Sequence, residues 1–376
     1  MNETKKGFWA TFGKWNFIFL YHIVRCLSMK GGRKFLYEGL REKSIYEDNY
    51  KSTLLRSSLL GKEFPNPLGI AAGFDTTFKY NDELIQYSFG FEEFGTFTSR
   101  ERYSFEKVTF LPMRKALLVD SPYFRNNGIK FAQKELINRR HLPYIAGVSI
   151  SSNINPDEDS KAENSVMFDK IEKELVECVQ HVAPFCDYIT VNLSHPQLLI
   201  SSLVINLGIL RKIITRLKEV IQKIAPISKT RLLLKVPLDL SPDQLSMLCE
   251  VMLDTGIDGV IVGGYNMAGR DNRKLLRRYG YKYVAGKPLK EETVRVVGDF
   301  YKVLRGRIPI IASGGVFTGD DAFEMIQNGA NLVQIHSAIV YKGPSIGRKI
   351  NKRLADILRK RKYKSVSEAV GSRFLR

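Results

Sequence analysis

The stretch Ile308–Ala338, IPIIASGGVFTGDDAFEMIQNGANLVQIHSA, holds two short apolar runs, PIIASGG (309–315) and LVQIHS (332–337), with an amphipathic segment between them. Each run is apolar at consecutive positions, not at alternate ones. That pattern belongs to a strand covered on both faces, as in a parallel sheet sheathed by helices. The same unit recurs upstream as LGIAAG (68–73), FEEFGT (91–96), IAGVSI (145–150), YITVNL (188–193), LLLKVP (232–237) and GVIVGG (259–264). Helical patterns such as FDKIEKELVECVQHV and LGILRKIITRLKEVIQKI lie between the runs, and their apolar residues fall on one face at a period near 3.6. About eight strands alternating with helices over roughly 250 residues predict an α/β fold of the (β/α)8 TIM-barrel type. A doubly wound open sheet is the alternative, but no G-x-G-x-x-G opens a helix, which disfavours it.

In a TIM barrel the chemistry sits at the C-terminal ends of the strands. The residues to read are therefore Ala72 to Phe74, Gly95 and Thr96, Ser149, Asn192 to His195, Lys235, Gly263 and Gly264, Ser313 to Gly315, and His336 with Ser337. Loops after the last two strands commonly bind phosphate through glycine amides and a helix N-terminus. Here they offer Gly314 and Gly315, followed by a helix with Asp320 near its start. Glycines also serve simply as turn residues, so a phosphorylated ligand is allowed and not required. Lys235 interrupts an apolar strand, and a buried lysine calls for an anionic or electron-rich partner. His195, in VNLSHPQL (191–198), stands where a general base would stand; imidazole titrates near neutrality.

Composition narrows the class. With 44% hydrophobic and 26% charged residues over 376 positions, the chain is globular and not disordered. Its four cysteines lack metal-like or paired spacing, as expected of reduced thiols in a non-oxidising compartment. The formal net charge of +19 favours anionic partners such as an acidic protein, anionic lipid or, on charge alone, nucleic acid. Its densest runs, RKINKRLADILRKRKYK and NRKLLRRYGYK, read equally well as solvated helix faces. The most apolar stretch, WNFIFLYHIV (15–24), is about half of what a membrane-spanning helix needs. Amphipathic helices lying on a surface fit it better. Glu3 and the absence of arginine from the first residues make a poor targeting presequence. The expected organisation is an N-terminal helical extension facing a membrane or partner (1–60), a barrel (61–345), and a basic C-terminal helix and tail packed on it (346–376).

Taken in order, these segments resemble the class 2, membrane-associated dihydroorotate dehydrogenases, from about Phe17 to Ser372. NPLGIAAGFD looks like that family's first barrel strand, GFEEFGTFT its second, and DYITVNLSHP the strand carrying its catalytic loop. LLLKVPLDLS, AGKPL, IPIIASGGVFTGDDA and GANLVQIHSA continue in family order, and GPSIGRKINKRLADIL and SVSEAVG close it. The resemblance implies an FMN barrel that oxidises dihydroorotate and passes electrons to quinone, with the N-terminal helices on the membrane. It assigns Ala71, Ala72 and Gly73 to the flavin ring, where Thr96 is also tolerated. Lys235 would neutralise the reduced ring and Asn192 is a retained strand asparagine. Gly286, Gly314, Gly315 and Ser337 fit ribityl and phosphate contacts. No metal is implied. Four positions depart from the pattern: Ser149 replaces an asparagine, Gly263 and Gly264 replace a Thr–Asn pair, and His336 takes a usually aromatic place.

The substrate side departs further. Thr76 stands where the family has the lysine that meets the orotate carboxylate. Asp120 replaces an orotate-binding asparagine, while Phe124 keeps an aromatic position. His195 stands where the base serine belongs, Gln197 replaces an asparagine, and Gly264 replaces the last of the ring of amides. Losing a charge-assisted contact costs roughly 1.5–3 kcal/mol, and a carboxylate beside an anionic substrate repels it. The first expectation is a barrel with impaired or lost dihydroorotate oxidation, with or without FMN. It would serve as a structural subunit of a mitochondrial assembly, a respiratory complex or ribosome, at the inner membrane or in the matrix. The alternatives are an active dihydroorotate:quinone oxidoreductase of pyrimidine biosynthesis, or a flavoenzyme on another substrate with His195 as base and Arg125 as anion clamp.

Overall fold

The computed structural model describes residues 50–79, 87–103, 108–111, 114, 116–119, 125–139, 144–154, 164–194, 199–204, 206–225, 229–264 and 270–375. The N-terminal helices expected from the sequence fall outside them, as do Asp120, Phe124, His195 and Gln197.

In chain order the strands are β1 (Ser57–Leu59), β2 (Lys62–Phe64), β3 (Leu68–Ile70), β4 (Phe91–Phe97), β5 (Val108–Leu111), β6 (Ala116–Val119), β7 (Ile145–Ile150), β8 (Tyr188–Asn192), β9 (Arg231–Val236), β10 (Gly259–Gly263), β11 (Tyr283–Gly286), β12 (Ile310–Ser313) and β13 (Leu332–Ile335). β3, β4, β7, β8, β9, β10, β12 and β13 form a closed parallel barrel, and β13 returns to β3 with Val333 opposite Leu68. These are the eight runs read from the sequence. Two additions were not legible there: the antiparallel hairpin β1–β2, and a small antiparallel sheet in the order β11–β6–β5.

The helices are α1 (Ile129–Asn138), α2 (Asn164–Val182), α3 (Leu207–Ile224), α4 (Pro242–Thr255), α5 (Arg270–Tyr279), α6 (Lys290–Leu304), α7 (Gly319–Gln327), α8 (Ser337–Lys342) and α9 (Ile346–Lys360). Local sequence explains their ends. Ser241 caps α4 in a box with Gln244, Pro242 takes the first turn, and left-handed Gly256 (φ 60°) ends the helix, each residue used where its backbone preference is an asset. On α3 the residues Leu210, Ile213, Ile214, Leu217 and Ile221 are buried along one face, at the spacing of a core-facing stripe. In the C-terminal segment, Ile350, Leu354, Ala355 and Leu358 are buried on α9, while Lys349, Lys352, Arg353, Arg359 and Lys360 are exposed. Arg273, Lys274, Arg277 and Arg278 of α5 are exposed as well. Both basic runs are thus solvated helix faces. No helix among the described residues is long and apolar enough to cross a membrane.

Inside the barrel, alternation along each strand stacks side chains in layers. The lowest layer is apolar: Phe64, Phe91, Ile145, Tyr188, Leu233, Ile261, Ile311 and Leu332 form one cluster. Two strand glycines make room for its rings. A Cβ at Gly69 would lie 2.4 Å from the Phe91 ring, and one at Gly147 would lie 2.0 Å from that of Tyr188. Two residues further along the strands the inward positions turn polar, at Glu93, Thr190, Lys235 and Gln334. Above them lies an open cavity.

Candidate active site at the top of the barrel

The cavity offers about 120 Å³ of room to water-sized molecules and opens to solvent. Its wall is built from strand ends and the turns that follow them. Ala71, Ala72 and Gly73 come after β3, Thr96 ends β4, Asn192 and Ser194 end β8, and Lys235 rises from β9. Gly264 follows β10, Ala285 and Gly286 end β11, Ser313 to Phe317 follow β12, and Gln334 to Ala338 close the ring after β13. All ten residues assigned to a flavin from the sequence lie on this one wall. Gly264, placed on the substrate side, is there too. Thr76 is half-buried in the turn after β3, where the Asp75 carboxylate accepts the Thr77 N–H at 2.8 Å; it is not on the wall. Arg125 is exposed, with its guanidinium 6.0 Å from the Tyr103 ring, also off the wall.

One side of the floor is a chain of hydrogen bonds. Thr96 Oγ1 and Ser149 Oγ are 2.8 Å apart, and Asn192 Nδ2 donates to Thr96 Oγ1 at 3.1 Å. Asn192 Oδ1 in turn accepts from the Ser194 hydroxyl at 2.7 Å and from its backbone N–H at 3.1 Å. Ser149, a departure from the family pattern, is therefore a fully paired residue that fixes Thr96. Asn192 has its side-chain oxygen committed to Ser194 and part of its amide committed to Thr96, so its role in this arrangement is to order the floor.

The glycines have different reasons. Gly314 (φ 127°) and Gly315 (φ 79°) adopt backbone that favours glycine, and a Cβ on Gly315 would lie 2.3 Å from Lys290 Cα. The loop after β12 is thereby pressed against the start of α6. Gly263 (φ 148°) would bring a Cβ to 1.8 Å from Ser313 O, and Gly264 (φ 143°) would bring one to 2.8 Å from Ser194 Oγ. A Thr–Asn pair does not fit this backbone without movement. Below the cavity rim, Asp320 forms two hydrogen bonds with Arg353 on the surface, at 2.7 and 2.8 Å, and does not reach the cavity. Its neighbour Asp321 takes the inward position: it accepts the Phe317 N–H at 3.0 Å and pairs with Lys290 at 2.8 Å.

His336 occupies the wall between β13 and α8. Its ring meets that of Phe74 edge to face, with centroids 5.7 Å apart, and stands 3.5 Å from where a Gly73 Cβ would be.

One residue under the cavity, partner to Lys235, escaped the sequence reading. Glu93, on β4, is fully buried. Its Oε2 accepts from Thr190 Oγ1 at 2.9 Å and from Gln334 Nε2 at 3.3 Å, so the carboxylate lies between β8 and β13 across the barrel axis. Burial pushes its carboxyl up, and the nearby Lys235 charge opposes that. Lys235 is 6% exposed; burial pushes its ammonium down and the Glu93 charge opposes that in turn. The signal was available: FEEFGT places two acids in a strand that should be covered on both faces, and alternation from Phe91 turns Glu93 inward.

This donor set fits FMN. A wall of small residues at Ala71, Ala72 and Gly73 admits a flat ring, a buried cation faces the cavity, and glycines crowd one end. Known proteins agree with that reading of the fold. The dihydroorotate dehydrogenase family model matches residues 54–358, and the chain belongs to that family. It is 31% identical to the dihydroorotate dehydrogenase (quinone) of Parvibaculum lavamentivorans over 320 residues, covering 85% of this chain and 87% of that protein. The protein of the same name from Erythrobacter litoralis is 29% identical over 355 residues, covering 93% and 97%. The crystal structure of DHODH from Eimeria tenella in complex with ferulenol superposes with a TM-score of 0.79 at 25% identity, covering 90% of this chain and 94% of that one.

Proposed function

We propose that this chain is an FMN-holding oxidoreductase barrel of the dihydroorotate dehydrogenase family in which dihydroorotate oxidation is impaired or lost. The observation that carries the flavin half is convergence: ten residues spread from Ala71 to Ser337 meet on one cavity wall. Bound FMN would supply the hydride acceptor and the route for electrons to a quinone, the acceptor that the names of its bacterial relatives carry. Lys235 would hold its charge beneath the ring, Ala71 to Gly73 would let the ring approach backbone, and Gly286, Gly314, Gly315 and Ser337 would bind the ribityl phosphate.

What supports impairment is the substrate side. The lysine that the resemblance places against a substrate carboxylate is Thr76, a neutral side chain off the cavity wall. At Gly264 a branched amide would collide with Ser194. A polar site discriminates by pairing each polar edge of its ligand, so several lost pairs weaken transition-state binding by orders of magnitude. Asp120, His195 and Gln197 add three more differences on the sequence level.

An absorbance spectrum of the purified protein, followed by addition of dihydroorotate and then a quinone, tests both halves. We expect bound flavin that dihydroorotate bleaches slowly or not at all. Rapid bleaching with quinone-dependent recovery would instead show an intact dihydroorotate:quinone oxidoreductase. A colourless protein that takes up no added FMN would sink the flavin half.

A further inference from the structure

We propose that Glu93 is a positioning residue: the built-in counter-charge through which the barrel sets the charge of Lys235 under the flavin. The inference rests on the flavin reading above and goes beyond it to a residue that touches no ligand. Three observations carry it. Glu93 is completely buried in the barrel interior, where an uncompensated carboxylate is costly. Its Oε2 is held by Thr190 from β8 and Gln334 from β13, whereas Oε1 meets no hydrogen-bond donor. Lys235, on the strand next to β8, is buried too, lines the cavity above, and is electrostatically coupled to Glu93.

Asn192 stands opposite Lys235 in the β8–β9 register, and Thr190 lies two residues below it on the same inward face. The hydrogen bond from Thr190 therefore holds the carboxylate one layer beneath the lysine. In that arrangement a carboxylate offsets part of the ammonium charge under the cavity, whereas a buried lysine alone would present a full unit. An anionic ring above it is then stabilised only by the difference between a near cation and a farther anion. Replacing Glu93 by an isosteric amide removes the anion and leaves the cation. The prediction has a definite sign: the reduced, more negative form of the flavin gains.

The test is the midpoint potential of bound FMN, measured by dye-coupled reduction of wild type, Glu93→Gln, Lys235→Met and the double variant. Glu93→Gln should raise the equilibrium constant for reduction about tenfold, or about 30 mV for a two-electron couple. On the Lys235→Met background the same change should move it by less than about twofold, because without the lysine charge burial is no longer opposed and favours a neutral Glu93 carboxyl, which an amide replaces with little change in charge. Thr190→Val, which takes away one donor to Oε2, should shift the potential in the same direction by a smaller amount and serves if Glu93→Gln does not fold. An unmoved potential in both Glu93→Gln and Thr190→Val, or a Glu93→Gln shift of equal size with and without Lys235, overturns the inference while leaving the flavin reading standing. A wild-type protein that binds no FMN overturns both.

Discussion

The two ends of the barrel interior are made from the same strands and the same alternation, yet they have opposite chemistry. At the lower end Phe91, Tyr188, Leu233, Ile311 and Leu332 close the interior with rings and branched chains, and Gly69 and Gly147 give the two aromatic residues room. Along those same strands, Phe91 gives way to Glu93 and Thr96, Tyr188 to Thr190 and Asn192, and Leu233 to Lys235. Apart from β4, whose register against β7 shifts between Phe94 and Phe97, the change is marked by the residue at each inward position. The lower layer stabilises the fold, so its residues should be costly to change and indifferent to ligand. The upper layer should behave in the opposite way.

That contrast can be broken at either end. Phe91→Ala removes a fully buried ring and should destabilise the chain by about 3–5 kcal/mol, read by chemical denaturation, while the FMN affinity of the folded fraction changes little. An equal loss of FMN affinity would show that the two layers are not independent. Lys235→Met should do the reverse. FMN binding weakens by roughly 1.5–3 kcal/mol, a tenfold to hundredfold rise in Kd, followed by fluorescence quenching, with a far smaller change in unfolding midpoint. The rim offers the mildest test. Burial works to raise the Asp321 carboxyl, but Lys290, the Phe317 N–H and Thr318 hold it below the ordinary carboxylate value. Its contribution is therefore complete above that value and is lost as pH falls through the lowered one. Asp321→Asn should cost about 1 kcal/mol at neutral pH, and the gap to wild type should close in acid, as thermal melts across a pH series would record.

Much of this arrangement was legible in advance, for physical reasons. Strands covered on both faces must be apolar throughout, so runs such as LLLKVP and PIIASGG stood out one by one, and eight of them defined the barrel. Residues at strand ends inherit a common location from the fold, which is why Ala72, Gly73, Gly314, Gly315 and Ser337 could be placed at one end of the barrel before it was seen, with Ala71 added by the family resemblance. The interior between the strands was not legible in that way. Glu93 and Gln334 are 241 positions apart in the chain and share a hydrogen bond. Ser194 drew no separate role from the sequence, and it anchors Asn192. Gly263 and Gly264 looked like losses, whereas the backbone passes too close to Ser313 and Ser194 to admit side chains.

By itself, then, the sequence determined the barrel, the end of it that carries chemistry, and the residues that surround the cavity. It did so because burial and periodicity act locally along each strand. Only the tertiary structure decided which polar groups face one another across the barrel: Thr96 with Ser149 and Asn192, and Glu93 beneath Lys235. Those pairings depend on how strands distant in the chain are staggered around a closed ring, and the stagger is a property of the closed ring that no single strand carries.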